Sequence, residues 1–127
     1  MIRILIADAQ PMVRKGLRMR LATEEDITIV GEASDGIETE RLMLETHPDM
    51  VILDTEIPKR DGFVTTRSLR EANPRVDIIL LSLRGDPAQR LKAQRAGART
   101  LIEKQEGVEK LLETIRQIQI SKGSQDA

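Results

Sequence analysis

Five short runs rich in β-branched residues alternate with longer stretches whose apolar residues recur at helical spacing, and this alternation constrains the 127-residue chain more than any other feature. Repeated strand-helix-strand steps imply a parallel sheet with right-handed crossovers and helices on both faces, so few topologies remain. Strands are expected at Ile2–Ala7, Ile27–Ala33, Met50–Asp54, Asp77–Ser82 and Arg99–Glu103. The third and fourth contain the continuous apolar runs Met-Val-Ile-Leu and Ile-Ile-Leu-Leu, which strands covered on both faces require, and they are expected at the centre. The fold class is α/β, a doubly wound five-stranded sheet of order 2-1-3-4-5.

Between the strands lie the helices. Pro11 suits the first turn of a helix whose Val13, Leu17 and Leu21 form a stripe at i, i+4, i+8. Gly36–Thr46 carries Ile37, Leu42 and Met43. Asp61 is a candidate N-cap for a helix that turns Phe63, Thr66 and Leu69 inward and closes near Asn73 and Pro74. Pro87–Ala96 is short, poorly apolar and ended by Gly97, whereas Val108–Ser121 has the cleanest helical period, through Leu111, Leu112, Ile115 and Ile118. Met12, Met19, Met43 and Met50 are expected as core filler and His47 as a surface loop residue. The domain is expected to span residues 1–121, with 122–127 a polar tail or the start of a linker.

Composition removes several function classes. Lys and Arg number 20 against 21 Asp and Glu, so no global field draws the chain to nucleic acid or membrane. Phe63 is the sole aromatic residue, which leaves no platform for stacking bases or a flavin ring. The absence of cysteine excludes disulfides, thiolate zinc sites and thiol catalysis, and fits a reducing cytoplasm. No apolar run approaches the roughly 20 residues of a membrane helix, and no signal peptide pattern opens the chain.

In an open parallel sheet the ligand crevice lies beyond the carboxyl ends of the strands, where the strand order reverses. Asp8 ends the first strand, Asp54 the third and Ser82 the fourth, and Lys104 follows the fifth. Singly, each reads as a cap, a turn former or a solvated charge. Together, two carboxylates, a hydroxyl and an ammonium suit phosphoryl chemistry. Carboxylates ligate Mg²⁺ and one can accept a phosphoryl group, while a cation and a hydroxyl stabilise the transferred oxygens.

Several motifs make the chain resemble the receiver domains of bacterial two-component response regulators. Ile4-Leu-Ile-Ala-Asp8 with Gln10-Pro11-Met12-Val13-Arg14-Lys15-Gly16-Leu17 resembles that family's first strand and helix. Val30-Gly-Glu-Ala-Ser-Asp-Gly36, Pro48-Asp49-Met-Val-Ile-Leu-Asp54, Ile57-Pro58, Asp61-Gly62, Leu81-Ser82, Ala96-Gly97-Ala98 and Lys104 continue the pattern. The Gly-Glu-Ala-Ser-Asp-Gly stretch is most similar to receivers that precede a LuxR-type helix-turn-helix domain, which would be missing here if the chain is a fragment. The resemblance implies a flavodoxin-like fold with Asp54 as phospho-acceptor, Ser82 and Lys104 as its hydroxyl and cationic partners, and a Mg²⁺ site of Asp8, Asp54 and the Glu56 carbonyl. It implies a sensor histidine kinase as partner, and an output or homodimer surface on the last helix, the fifth strand and the Pro87–Ala96 helix.

Two positions depart from the family pattern. Ala9 stands where most members carry a second acid that ligates the metal, which implies weaker Mg²⁺ binding, and the Glu56 side chain is a candidate replacement. Leu101 replaces an aromatic residue three positions before the lysine, so signalling must run through backbone and loop shifts. These departures define a competing reading, a degenerate receiver acting as an interaction module without phosphorylation. An enzyme reading, from the acid-x-acid Asp54-Thr55-Glu56, lacks the rest of the aspartate-nucleophile phosphatase pattern. From Leu83 to Lys104, six basic residues stand against Asp86 and Glu103, which reads either as a solvated basic face or as a docking surface for acids.

Overall fold

A computed structural model describes residues 1–126 of the chain. Strands β1 (Ile2–Ala7), β2 (Ile27–Ala33), β3 (Met50–Asp54), β4 (Asp77–Ser82) and β5 (Thr100–Glu103) form one parallel sheet in the order β2-β1-β3-β4-β5. Helices α1 (Pro11–Leu21), α2 (Gly36–Thr46), α3 (Gly62–Ala72), α4 (Pro87–Ala96) and α5 (Gly107–Asp126) alternate with them. The order is the expected one, with β3 in the middle and both β3 and β4 buried along their whole length.

Strand periodicity divides the core in two. Successive side chains point to opposite faces of a strand, so Leu5, Val51, Leu53, Ile78 and Leu80 join Met43, Phe63 and Leu69 beneath α2, α3 and α4. Ile4, Ile6, Ile52, Ile79 and Ile102 join Leu21, Leu111 and Ile115 beneath α1 and α5. The chain runs from β1 outward to β2 and returns past β1 to β3, which places the reversal of strand order between β1 and β3. Their carboxyl ends carry Asp8 and Asp54.

Local chemistry explains the helix ends. Asp35, Asp61 and Asp86 cap α2, α3 and α4, their carboxylates accepting from the amides of Glu38, Val64 and Gln89. Gly97 ends α4 at φ 99°, a left-handed conformation that a residue with a Cβ resists.

Four expectations need correction. Met12 and Met19 are 75% and 60% exposed, because α1 meets the sheet through the row of Val13, Leu17 and Leu21, and only Met43 and Met50 fill the core. Ile37 is likewise exposed on α2. β5 begins at Thr100, since Arg99 bonds to the Ile78 carbonyl through its amide but turns its guanidinium to Asp77. α5 begins at Gly107 and continues through Asp126, beyond the helix end expected at Ser121; Lys122 is held there by Asp77 at 2.7 Å. The expected tail residue Ala127 lies outside the described residues.

Candidate functional site

Asp8 and Asp54 are brought together because β1 and β3 are neighbours that end at the same sheet edge. Both are buried, at 2% and 7% exposure. Lys104, which opens a 3₁₀ turn directly after β5, sends its Nζ back over that edge to within 3.1 Å of Asp54 Oδ2 and 3.4 Å of Asp8 Oδ2. Burial works against its charge, but the hydrogen bond and charge of Asp54, with those of Asp8, outweigh it and hold the ammonium above the ordinary lysine value. Two carboxylates thus share one cation.

Each carboxylate is aimed by a backbone amide. Asp8 Oδ1 accepts from the Gln10 amide at 2.8 Å, and Asp54 Oδ1 from the Glu56 amide at 3.1 Å. Below Asp8, Arg14 of α1 donates to its carbonyl and approaches Glu32 on β2. Ser82 sits one residue past the β3 partner Leu81 and is buried, but its hydroxyl accepts from the Arg84 amide at 3.1 Å and makes no hydrogen bond to Asp54. The edge therefore gathers Asp8, Asp54 and Lys104 into one cluster and keeps Ser82 beside it, engaged with its own loop.

The loop after β3 is pinned tightly. The Gly62 amide donates to the Thr55 carbonyl at 2.8 Å, and a Cβ at Gly62 would stand 2.5 Å from the Asp54 carbonyl oxygen and 2.6 Å from Thr55 Cα. Lys59, at φ 69°, reaches Asp35 at 3.3 Å, while the Gly36 amide donates to the Pro58 carbonyl. The Asp35 carboxyl is held below its ordinary value mainly by the Glu38 amide, with Lys59 adding to the effect. Gly36 and Gly62 stood in the sequence pattern, but their role in holding the loop after β3 follows from contacts between segments distant in the chain.

Glu56 is exposed, and among the described residues no three His, Cys, Asp or Glu side chains are grouped to hold a metal. The two carboxylates nevertheless suit a hard cation that keeps most of its waters, because each commits one oxygen to an amide and the pair carries more negative charge than Lys104 neutralises. Leu101 is buried, and its carbonyl accepts from Arg90, whose Nε also holds the Gly85 carbonyl. Arg90 thereby ties the β4–α4 loop to β5.

Comparison with known proteins points the same way. The family described as the response regulator receiver domain matches residues 4–116. The transcriptional regulatory protein YhcZ of Bacillus subtilis is 38% identical over 113 residues, covering 89% of this chain and 53% of that protein. A two-component response regulator of the LuxR family from Aurantimonas sp. superposes with a TM-score of 0.87 at 33% identity, covering 91% of this chain and 83% of that one. The CheX–CheY–BeF3–Mg²⁺ complex from Borrelia burgdorferi gives 0.84 at 26% identity, covering 92% and 88%. The chain spans about half the length of the curated relatives it matches.

Proposed function

Because this chain belongs to the response-regulator receiver family, with LuxR-family regulators among its relatives, we propose that it is a phospho-accepting switch whose acceptor is Asp54. The observation that carries this reading is the pair of buried carboxylates at the strand-order reversal, sharing a single ammonium. An oxygen of Asp54 attacks phosphorus in line, the bond from phosphorus to the donor nitrogen or oxygen breaks, and the leaving group departs with its electron pair and takes up a proton. Lys104 stays beside the acceptor and meets the added negative charge. Ser82, whose hydroxyl oxygen accepts from the Arg84 amide, donates its proton to a phosphoryl oxygen, and its shift toward Asp54 draws the loop that Arg90 ties to β5.

Asp8, Asp54 and the Glu56 carbonyl would hold Mg²⁺, which when bound supplies positive charge to the phosphoryl oxygens. Support for the ion comes from the donor set and from the Borrelia neighbour, whose structure contains it. The donor is a histidine kinase, and the exposed sides of α4, β5 and α5 form the surface that changes an output or a dimer. The transcriptional and LuxR-family regulators among the relatives support a DNA-binding domain in the whole protein if this chain is a fragment. Among the described residues no helix is long and apolar enough to cross a membrane.

The test is intact mass after incubation with Mg²⁺ and acetyl phosphate. One added phosphoryl group, absent from Asp54→Asn, is expected. No addition at donor levels that label an ordinary receiver would favour the competing reading, in which Ala9 marks an interaction module that works unphosphorylated.

A further inference from the structure

Many basic residues of this chain are engaged by carboxylates. Arg14, Arg18, Arg20, Arg41, Arg60 and Arg116 each approach a carboxylate. Of the basic stretch from Leu83 to Lys104, Arg90 is spent on carbonyls, Arg99 on Asp77 and Lys104 on the acidic pair. That leaves Arg84, Lys92 and Arg95, which among the described residues have no carboxylate at ion-pair distance, and they do not lie on the β5 side of α4. Lys92 and Arg95 line a groove of about 650 Å³ between α3 and α4, together with Arg67 of α3, also without an acid partner. Arg84 and Lys92 line its continuation, which runs to Ser82.

The groove between those cations is apolar. Val64 and Leu91 are 51% and 45% exposed, Ala88 and Ala96 complete the walls, and Lys92 Nζ stands 4.5 Å above the ring of Phe63. Leu83, 61% exposed, extends the apolar strip toward Ser82. Exposed apolar side chains scattered singly are ordinary, but a contiguous strip rimmed by an excess of cations without carboxylate partners marks a recognition surface. The acids lining the groove and its continuation are Asp61, which caps α3, Glu71 at the far end of that helix and the exposed Glu56, against the four cations Arg67, Arg84, Lys92 and Arg95.

We propose that the α3–α4 groove docks an acidic amphipathic helix of a partner protein, its apolar residues seated on Val64 and Leu91 and its carboxylates met by Arg67, Lys92 and Arg95. A cleft between two helices over the interior of a sheet offers no free strand edge, so the occupant that fits is a helix laid along it. A second copy of the chain fits poorly. Its α2 exposes Ile37 and Leu44, but Glu40 and Glu45 of that helix are already paired with Arg60 and Arg41. The groove is already open with Asp54 unphosphorylated, so docking is tested in that state.

Fluorescence anisotropy of the unphosphorylated protein with a fluorescein-labelled helical peptide tests it, the peptide carrying leucines at i, i+3, i+4 and i+7 flanked by glutamates. Saturable binding is expected that weakens about tenfold in Leu91→Ser and at least as much in the double variant Arg67→Glu, Arg95→Glu. Raised salt should weaken it too, while Arg41→Glu on α2 should leave it unchanged and a peptide with lysines for glutamates should not bind. Amide shifts on binding should map to α3 and α4. The proposal is overturned if the glutamate peptide does not bind, if both groove variants bind it as the parent does, or if the shifts lie on another face. It is also overturned if groove amides shift on dilution of the protein alone, which would make the occupant a second copy, or if only phosphatidylglycerol vesicles compete for these cations.

Discussion

At the carboxyl edge of the sheet Asp8 and Asp54 share the single ammonium of Lys104, whereas at the amino edge Asp77 alone draws both Lys122, at 2.7 Å, and Arg99, at 3.8 Å. The two edges belong to the same strands. β3 follows directly on Asp49 and ends at Asp54, and β4 runs from Asp77 to Ser82. Asp49 is satisfied too, its carboxylate accepting from the Arg3 amide at 2.8 Å. A buried acid with cations to spare holds elements together, here α5 against β4. Buried acids short of cations are a place where positive charge or a transferred group is welcome. Asp77 matches Asp8 and Asp54 in burial and residue type; the ratio of cations to carboxylates is what differs.

That contrast can be attacked at both edges. Gly62→Ala should have the largest effect, because its methyl would press on backbone at Asp54 and Thr55; a loss of about 2–3 kcal/mol in urea unfolding is expected, with slowed phosphoryl uptake. Lys104→Met should cost about 1–2 kcal/mol at pH 7, discounted for the exposed part of the pair, since it leaves two carboxylates facing each other. The folded-state value of Lys104 is raised, so its contribution is complete below the unfolded lysine value of about 10.4 and lost as the pH rises through the folded value. Urea unfolding of parent and variant should therefore differ by a constant amount through the neutral range and converge in strong alkali.

The smaller effects sharpen the comparison. Ala9→Asp adds a further acid to the edge already short of cations, and should tighten Mg²⁺ about tenfold by calorimetry, the suitable readout in a chain without tryptophan. Asp77→Asn should cost about 1 kcal/mol in urea unfolding, because Lys122 and Arg99 can return to water, and should leave phosphoryl uptake as it was.

Much of this was legible before any coordinates. Strand order follows from the alternation and the handedness of crossovers, and the apolar runs of β3 and β4 mark the interior of the sheet. Asp8, Asp54 and Lys104 could be placed at one edge because a strand's last residue is read directly from where its apolar run stops. Contacts set by loops were not legible. That Ser82 turns to the Arg84 amide, that Arg90 ties Gly85 to Leu101, and that Gly62 lies against the Asp54 carbonyl depend on loop paths that no periodicity encodes. Met12 and Met19 were misplaced because a methionine suits a core or a surface equally, and only the packing of α1 decides. The helical course of Lys122 was missed because a polar segment is steadied there by Asp77, a partner 45 residues earlier in the sequence.

The most direct test of the contrast between the edges is amide chemical-shift mapping during titration with Mg²⁺ and then with beryllofluoride, a phosphoryl mimic. The account predicts shifts at residues 8–10, 54–57, 82–84 and 104, with Asp49 and Asp77 unmoved and the whole response absent in Asp54→Asn. Shifts centred on Asp49 and Asp77, or the same response in Asp54→Asn, would contradict it.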